Sequence, residues 1–210
     1  MVIERRVRRV DTCMDFQDVV QRRRMVRNFD DRPLDREVVE RILANALRAP
    51  SAGFTQGWAF LVLEGKTETE RFWKATFENA EARARFRWQG LFAAPLIVVS
   101  LSHKDAYLDR YAEPDKGWTD RSESHWPVPY WDVDAGFASI LMLLTAVDAG
   151  LGALFFGVFE PERFRVAFGV PDAYTPVGAL AIGHPLPDDP SPSLGRGRRP
   201  LDAVVHRGRW

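Results

Sequence analysis

The sequence predicts one mixed domain of helices and strands, and three observations predict it. Helix-period and strand-period segments alternate along the 210 residues without a long linker. A chain of this length buries a sizeable core. The run at 95–100 is apolar on both faces, the pattern of a strand covered from two sides.

Taken in order, Phe16, Val19 and Val20 open a short amphipathic helix that ends near an arginine-rich string at 22–29. Asp35 is suited to N-cap a second helix, in which Val39, Ile42, Leu43, Ala46 and Leu47 recur at three- and four-residue intervals and which Pro50 stops. Residues 60–63 read as a strand, 68–88 as a charged helix with aromatic positions, and 95–100 as a buried strand. Between 103 and 131 the pattern lapses into a polar stretch carrying Trp118, Trp126, Tyr130 and Trp131, long enough to read as a functional lid. Over 134–150, Phe137, Ile140, Leu141, Met142, Leu143, Leu144 and Val147 leave no solvent face, which predicts a central buried helix. A membrane span needs about 20 apolar residues, and this run is shorter and bounded by Asp132, Asp134 and Asp148. Gly150 reads as its C-cap. Residues 154–159 and 177–183 read as strands with a helix at 162–168 between them. A Pro/Gly/Ser-rich connector at 184–197 leads into a C-terminal arm.

Composition excludes several function classes. Lysine plus arginine equals aspartate plus glutamate at 29 each, so no global field draws the chain to nucleic acid or an anionic membrane. The one cysteine, Cys13, forms no intrachain disulfide and no zinc cluster, and suits a reducing cytoplasm. Arg5, Arg6, Arg8 and Arg9 precede no apolar run of the signal-peptide kind. His103, His125, His184 and His206 are scattered, so no metal site is expected.

Two segments carry chemistry. Arg22, Arg23, Arg24 and Arg27 place four guanidinium forks within six residues, where one small dianion can be gripped bidentately, although a basic run can also be a solvated face. The second segment, Arg48-Ala49-Pro50-Ser51-Ala52-Gly53-Phe54-Thr55-Gln56-Gly57-Trp58, is a Pro-Ser-small-Gly turn between a helical pattern and an apolar run at 59–63.

These segments resemble, in order, those of the nitroreductase superfamily of flavoenzymes, together with Ala149-Gly150-Leu151-Gly152, Phe156-Gly157-Val158-Phe159, Ala181-Ile182-Gly183-His184-Pro185 and Arg196-Gly197-Arg198-Arg199-Pro200-Leu201. The resemblance covers 16–210. It implies an α+β fold, a mixed sheet wrapped by helices in an intertwined homodimer, with one FMN in each of two interfacial sites. Residues 1–14 then form an N-terminal extension to an FMN-binding domain at 15–210, whose lid spans about 103–131 and whose arm spans about 194–210. Arg23, Arg24 and Arg27 would grip the phosphate and ribityl chain, with backbone contacts from Met25. Pro50, Ser51 and Ala52 would lie along the isoalloxazine, the backbone at Phe156 and Gly157 would face its N5 edge, and Arg198, supported by Arg196, would return to the phosphate. Phe54, Trp118, Trp126 and Tyr130 are the substrate candidates.

The implied activity is hydride transfer from NADH or NADPH through FMN to a small acceptor such as a nitroaromatic, quinone or enone. The cofactor carries the chemistry, so no catalytic side chain is required. Besides that acceptor the expected partner is a second copy of the chain, not nucleic acid or membrane. Phe54 and Gly57 stand where many members carry asparagine and proline. The Gly53-Phe54 variant resembles the subgroup containing the flavin-fragmenting dimethylbenzimidazole synthase, whose acidic residue would fall at Met25, and a thioether does no carboxylate proton chemistry. Flavin fragmentation and non-catalytic flavin binding are the alternative readings.

Overall fold

In a computed structural model describing residues 14–77 and 79–210, helices and strands alternate. The order is α1 (Phe16–Arg22), β1 (Phe29–Asp30), α2 (Arg36–Ala46), β2 (Trp58–Glu64), α3 (Gly65–Thr76), α4 (Ala80–Ala84), β3 (Leu96–Ser102), α5 (Lys104–Ala112), α6 (Tyr130–Asp148), β4 (Gly152–Phe156), α7 (Pro161–Phe168) and β5 (Thr175–Pro185). Cys13, Arg5, Arg6, Arg8, Arg9 and all of the expected extension except Met14 lie outside the described residues.

All strand pairs of the sheet are antiparallel. β3 lies between β2 and β5, with Val98 opposite Val62 on one side and Leu180 on the other. β5 also pairs with β4, Phe155 opposite Leu180, and with β1, Phe29 opposite Pro185. Every residue of β3 is buried, and the two-residue side-chain period divides them between two cores. Ile97, Val99 and Leu101 join Phe72, Trp73 and Phe164 under α3 and α7. Leu96 and Val98 join Val39, Ile42, Ala138 and Met142 under α2 and α6. Helices therefore cover both faces, as the resemblance implied, but the sheet is antiparallel where a mixed one was expected, the parallel contact being the isolated bridge between Met25 and Ala153.

Several boundaries differ from expectation. The helix expected over 68–88 is two: α3 ends where Phe77 turns extended (φ −108°, ψ 143°), and Asn79 starts α4 by accepting the Ala82 N–H on its side chain at 2.7 Å. α2 ends at Ala46, before Pro50. The stretch at 103–131 is not featureless, because His103 Nδ1 accepts the Ala106 N–H at 2.9 Å and caps α5, which buries Tyr107 and Leu108. β4 spans Gly152–Phe156, so Val158 and Phe159 lie beyond it.

α6 begins at Tyr130 and does have an open face: Phe137 is 43% and Ile140 38% exposed. α1, α2 and the sheet cover its other sides. By length and composition α6 could cross a membrane, yet its Asp134 is 2% exposed within the core, and half of the helix packs against sheet and helices.

Candidate functional site

The arginine string is bound to the edge of β4. α1 closes at Arg23, whose N–H donates to the Val19 carbonyl at 3.0 Å, and the chain then runs parallel to β4, with the Val26 N–H donating to the Ala153 carbonyl at 3.0 Å. The contact is close enough that a Cβ on Gly152 would stand 2.9 Å from the Val26 side chain. Val26 is buried and Met25 half-buried. Arg22 and Arg24 line a cleft of about 220 Å³ with Met14, Val26, Val147 and the Gly150–Gly152 turn. No carboxylate pairs with Arg22, Arg23 or Arg24 among the described residues.

Arg27 takes a different direction. Its Nη1 donates to the Met25 carbonyl at 3.2 Å, its guanidinium lies 4.8 Å from the Trp88 ring centroid, and its backbone N–H donates to Asp188 at 2.7 Å. With Arg87, Trp88, Asp188 and Asp189 it lines a second cleft of about 350 Å³. The expected arginine cluster is thus split between two neighbouring clefts.

The turn at 50–57 is held in an unusual backbone conformation. Gly53, Phe54 and Gln56 have φ of 61°, 55° and 54°, which for the two non-glycine residues costs about 1–3 kcal/mol each and persists only where the surroundings impose it. Internal bonds impose part of it: Phe54 N–H to the Ser51 carbonyl at 2.9 Å, Thr55 hydroxyl to the Ala52 carbonyl at 2.6 Å, and Gln56 N–H to Ser51 Oγ at 2.7 Å. The rest comes from α5 and α6. Asp134 Oδ2 accepts both the Ala52 N–H and the Tyr107 hydroxyl at 2.8 Å, and Arg110 Nε donates to the Gly53 carbonyl at 3.0 Å. Burial, and after it Asp134, pushes the Tyr107 phenol well above its ordinary value. A Cβ on Gly57 would meet the Tyr107 ring at 2.4 Å, so a proline there would collide with α5. Ser51 and Ala52 are half-buried, Pro50 is exposed, and Phe54 is 78% exposed.

At the end of β4, Phe156 turns its ring into the core, stacked on Trp73 at 5.6 Å and 18°, which leaves Gly157 exposed.

The lid candidates gather into one box. Tyr111 lies 4.4 Å from Trp126 and 4.9 Å from Trp118 between ring centroids, Trp118 stacks on His125 at 4.9 Å, and Trp126 lies 5.7 Å from Tyr130. Ion pairs tie the loop to α5: Arg110 to Asp115 at 2.6 Å, Arg121 to Asp109 at 2.7 Å, and Lys104 to Glu123. The box adjoins the turn, since a Cβ on Gly53 would stand 2.7 Å from Tyr111.

Arg196 and Arg198 are exposed. The chain beyond β5 is tied down at Leu186–Asp188 by bonds to Arg27 and Asn28, but from Ser191 onward the hydrogen bonds of the described residues stay within the arm. Among the described residues no hydrogen bond ties Arg196 or Arg198 to the segment at 22–27. Sequence reasoning also missed Asp134, Tyr107 and Arg110, which hold the turn, and Trp88 and Asp188, which engage Arg27. The available signal was an acid in the first turns of an otherwise apolar helix.

Uncompensated guanidinium groups beside a cleft, and a rigid turn of small residues beside aromatic rings, form a donor set that fits a planar cofactor bearing a phosphate.

Residues 20–184 match the pattern of the nitroreductase family. The 5,6-dimethylbenzimidazole synthase of Rhodospirillum rubrum is 30% identical over 200 residues, 88% of this chain and 90% of that one. An NADPH-dependent oxidoreductase of Staphylococcus aureus is 24% identical over 195 residues, 92% of this chain and 73% of that one. A protein of Exiguobacterium sibiricum described as a nitroreductase and solved in complex with FMN superposes with a TM-score of 0.70 at 23% identity, covering 92% of this chain and 97% of that one.

Proposed function

The chain belongs to the nitroreductase family, and from that membership we propose that it is an FMN-dependent oxidoreductase, drawing on NADH or NADPH to reduce a small nitroaromatic, quinone or enone-like acceptor. The observation that carries the reading is the row Arg22–Arg24, cationic and without carboxylate partners among the described residues, at the lip of the β4 cleft. The E. sibiricum protein with FMN and the NADPH-dependent S. aureus relative support the choice of cofactor and donor.

When bound, FMN supplies the two-electron chemistry. The chain's own groups bind and orient it. Arg23 and Arg24 hold the phosphate, Met25 contributes its backbone, and Arg27, braced on Trp88, borders the same grip. Pro50, Ser51 and Ala52 form one wall of the ring site, and the backbone at Phe156 and Gly157 forms its edge. The box of Trp118, Trp126 and Tyr130, with Phe54 at its margin, excludes water and selects the acceptor. Arg196 and Arg198 complete the phosphate grip from the arm of a second copy, a role supported by an arm whose described hydrogen bonds from Ser191 onward are all internal. Exposed Phe137 and Ile140 on α6, and Phe16 and Val20 on the adjoining α1, support a homodimer. Cytoplasmic placement accords with a nicotinamide donor and a sequence with one cysteine.

Turnover decides the matter. FMN-loaded protein should oxidise NADH or NADPH in the presence of menadione or nitrofurazone, and a chain that binds FMN yet oxidises neither donor with any acceptor would instead be a flavin carrier. The R. rubrum relative favours a second reading, flavin fragmentation. Half-buried Met25 supplies no carboxylate for it, and chromatography of FMN incubated with protein, NADPH and air should show no dimethylbenzimidazole.

A further inference from the structure

We propose that Asp134 is a positioning residue for the turn at 50–57, and that its buried charge shifts the bound flavin toward the oxidised form. The inference rests on the FMN reading above and adds a residue that the sequence motifs do not single out.

Asp134 is 2% exposed and is the one Asp, Glu, Lys or Arg buried among the described residues. A single oxygen, Oδ2, receives the Ala52 N–H and the Tyr107 hydroxyl, both at 2.8 Å, and Tyr107 is itself fully buried. The turn so anchored contains Phe54 and Gln56 in the left-handed region, a conformation that the turn's internal bonds hold only in part. Removing the anchor therefore loosens the wall assigned to the ring.

Anchoring alone does not account for an acid. An amide oxygen accepts the same two bonds without the cost of burying a charge. No lysine or arginine lies in an ion pair with Asp134 among the described residues. The nearby guanidinium of Arg110 is engaged by the Gly53 carbonyl, Asp115 and Glu113. The negative charge thus sits one hydrogen bond behind Ala52, largely uncompensated, in a medium that screens weakly. A flavin against Ala52 gains electrons when reduced, and a fixed anion behind the wall opposes that gain. The charge makes the reduced cofactor a stronger donor to the acceptor.

The test uses the full chain loaded with FMN, as wild type and as Asp134→Asn, Asp134→Ala and Tyr107→Phe. The affinity for oxidised FMN is titrated by flavin fluorescence. The reduced-to-oxidised affinity ratio is read under argon against a dye of known potential, and thermal midpoints are recorded beside both. Asp134→Asn, which keeps the acceptor and loses the charge, should bind oxidised FMN within about threefold of wild type and raise the ratio about tenfold, equivalent to about 30 mV for a two-electron couple. Asp134→Ala should weaken oxidised FMN about tenfold or more, because the turn loses its anchor. Tyr107→Phe should weaken FMN modestly and leave the ratio unchanged.

An Asp134→Asn ratio equal to wild type, or Asp134→Ala binding FMN as tightly as wild type, overturns the proposal. If the Asp134 variants do not fold, Tyr107→Phe decides, and unchanged FMN affinity there overturns the anchoring role. Wild-type protein that binds no FMN refutes the reading underneath, whereas normal wild-type binding with indifferent variants refutes only the role of Asp134.

Discussion

The Val26 N–H donates to the Ala153 carbonyl at 3.0 Å, and that bond fixes the arginine string to the sheet edge that ends at Phe156, just before Gly157. Gly152 permits the approach, because a Cβ there would stand 2.9 Å from Val26. Gly152→Ala should push the string outward. The overpacking should cost about 1–3 kcal/mol of stability and weaken FMN, which thermal unfolding and a fluorescence titration would record. Unchanged FMN affinity would mean that the string grips the phosphate without the sheet's support.

The split between Arg24 and Arg27 gives a sharper expectation. Arg24→Ala removes a guanidinium without a carboxylate partner beside the cleft and should cost about 1.5–3 kcal/mol of FMN binding. Riboflavin, which lacks the phosphate, should bind wild type and variant alike. Arg27→Ala also empties the space over Trp88 and frees the Met25 carbonyl, so it should lower the thermal midpoint as well as FMN affinity. Equal loss of riboflavin and FMN in Arg24→Ala would place Arg24 away from the phosphate.

Much of the architecture was legible where one period dominates. α2 was visible because Val39, Ile42 and Ala46 recur at helical spacing, β2, β3 and β5 because their apolar runs are short and continuous, and β3 is buried along its whole length because it is covered on both faces. α5 was not, since its two buried residues, Tyr107 and Leu108, are adjacent and define no stripe. α6 hid the opposite way: uniform apolarity concealed which face, that of Phe137 and Ile140, this chain leaves open. The clamp on the turn was invisible because Asp134 meets Ala52 across 82 residues and Tyr107 across 27. The arginine string itself was legible, but its division into two clefts depends on Trp88 and Asp188, whose closeness no spacing reveals.

The open face of α6 bears on assembly. Obligate interfaces bury more than about 2,000 Å², and light scattering should give twice the chain's 23.9 kDa. Phe137→Glu should shift the mass toward one chain and release FMN. A flavin-bound wild-type monomer would remove the homodimer from the account.

The aromatic box is expected to act on the acceptor. Trp126→Ala opens the space between Tyr111, Trp118 and Tyr130 and should alter reoxidation by an acceptor while leaving flavin reduction by the nicotinamide largely intact. Stopped-flow measurement of each half-reaction separates the two. Loss of flavin, or no change in either half-reaction, would make the box a support for the turn alone.

The latch on that loop has a defined pH response. The hydrogen bond from Arg110 holds the Asp115 carboxyl below its ordinary 3.8. A depressed folded-state value contributes stability that is fully present above the unfolded value and is lost as pH falls through the folded one. Hydrogen-exchange protection over 113–126, corrected for the intrinsic pH dependence of exchange, should therefore stay flat from about pH 8 to about pH 5 and fall only below about pH 4. A fall in protection near pH 6 would assign the latch to another group.

The central claim is tested most directly by the absorbance spectrum of the purified, FMN-incubated protein before and after anaerobic NADH or NADPH. The account predicts a yellow protein with one FMN per chain whose visible band bleaches on adding one of the two donors. A colourless chain that takes up no flavin, or a bound flavin that neither donor bleaches, would contradict it.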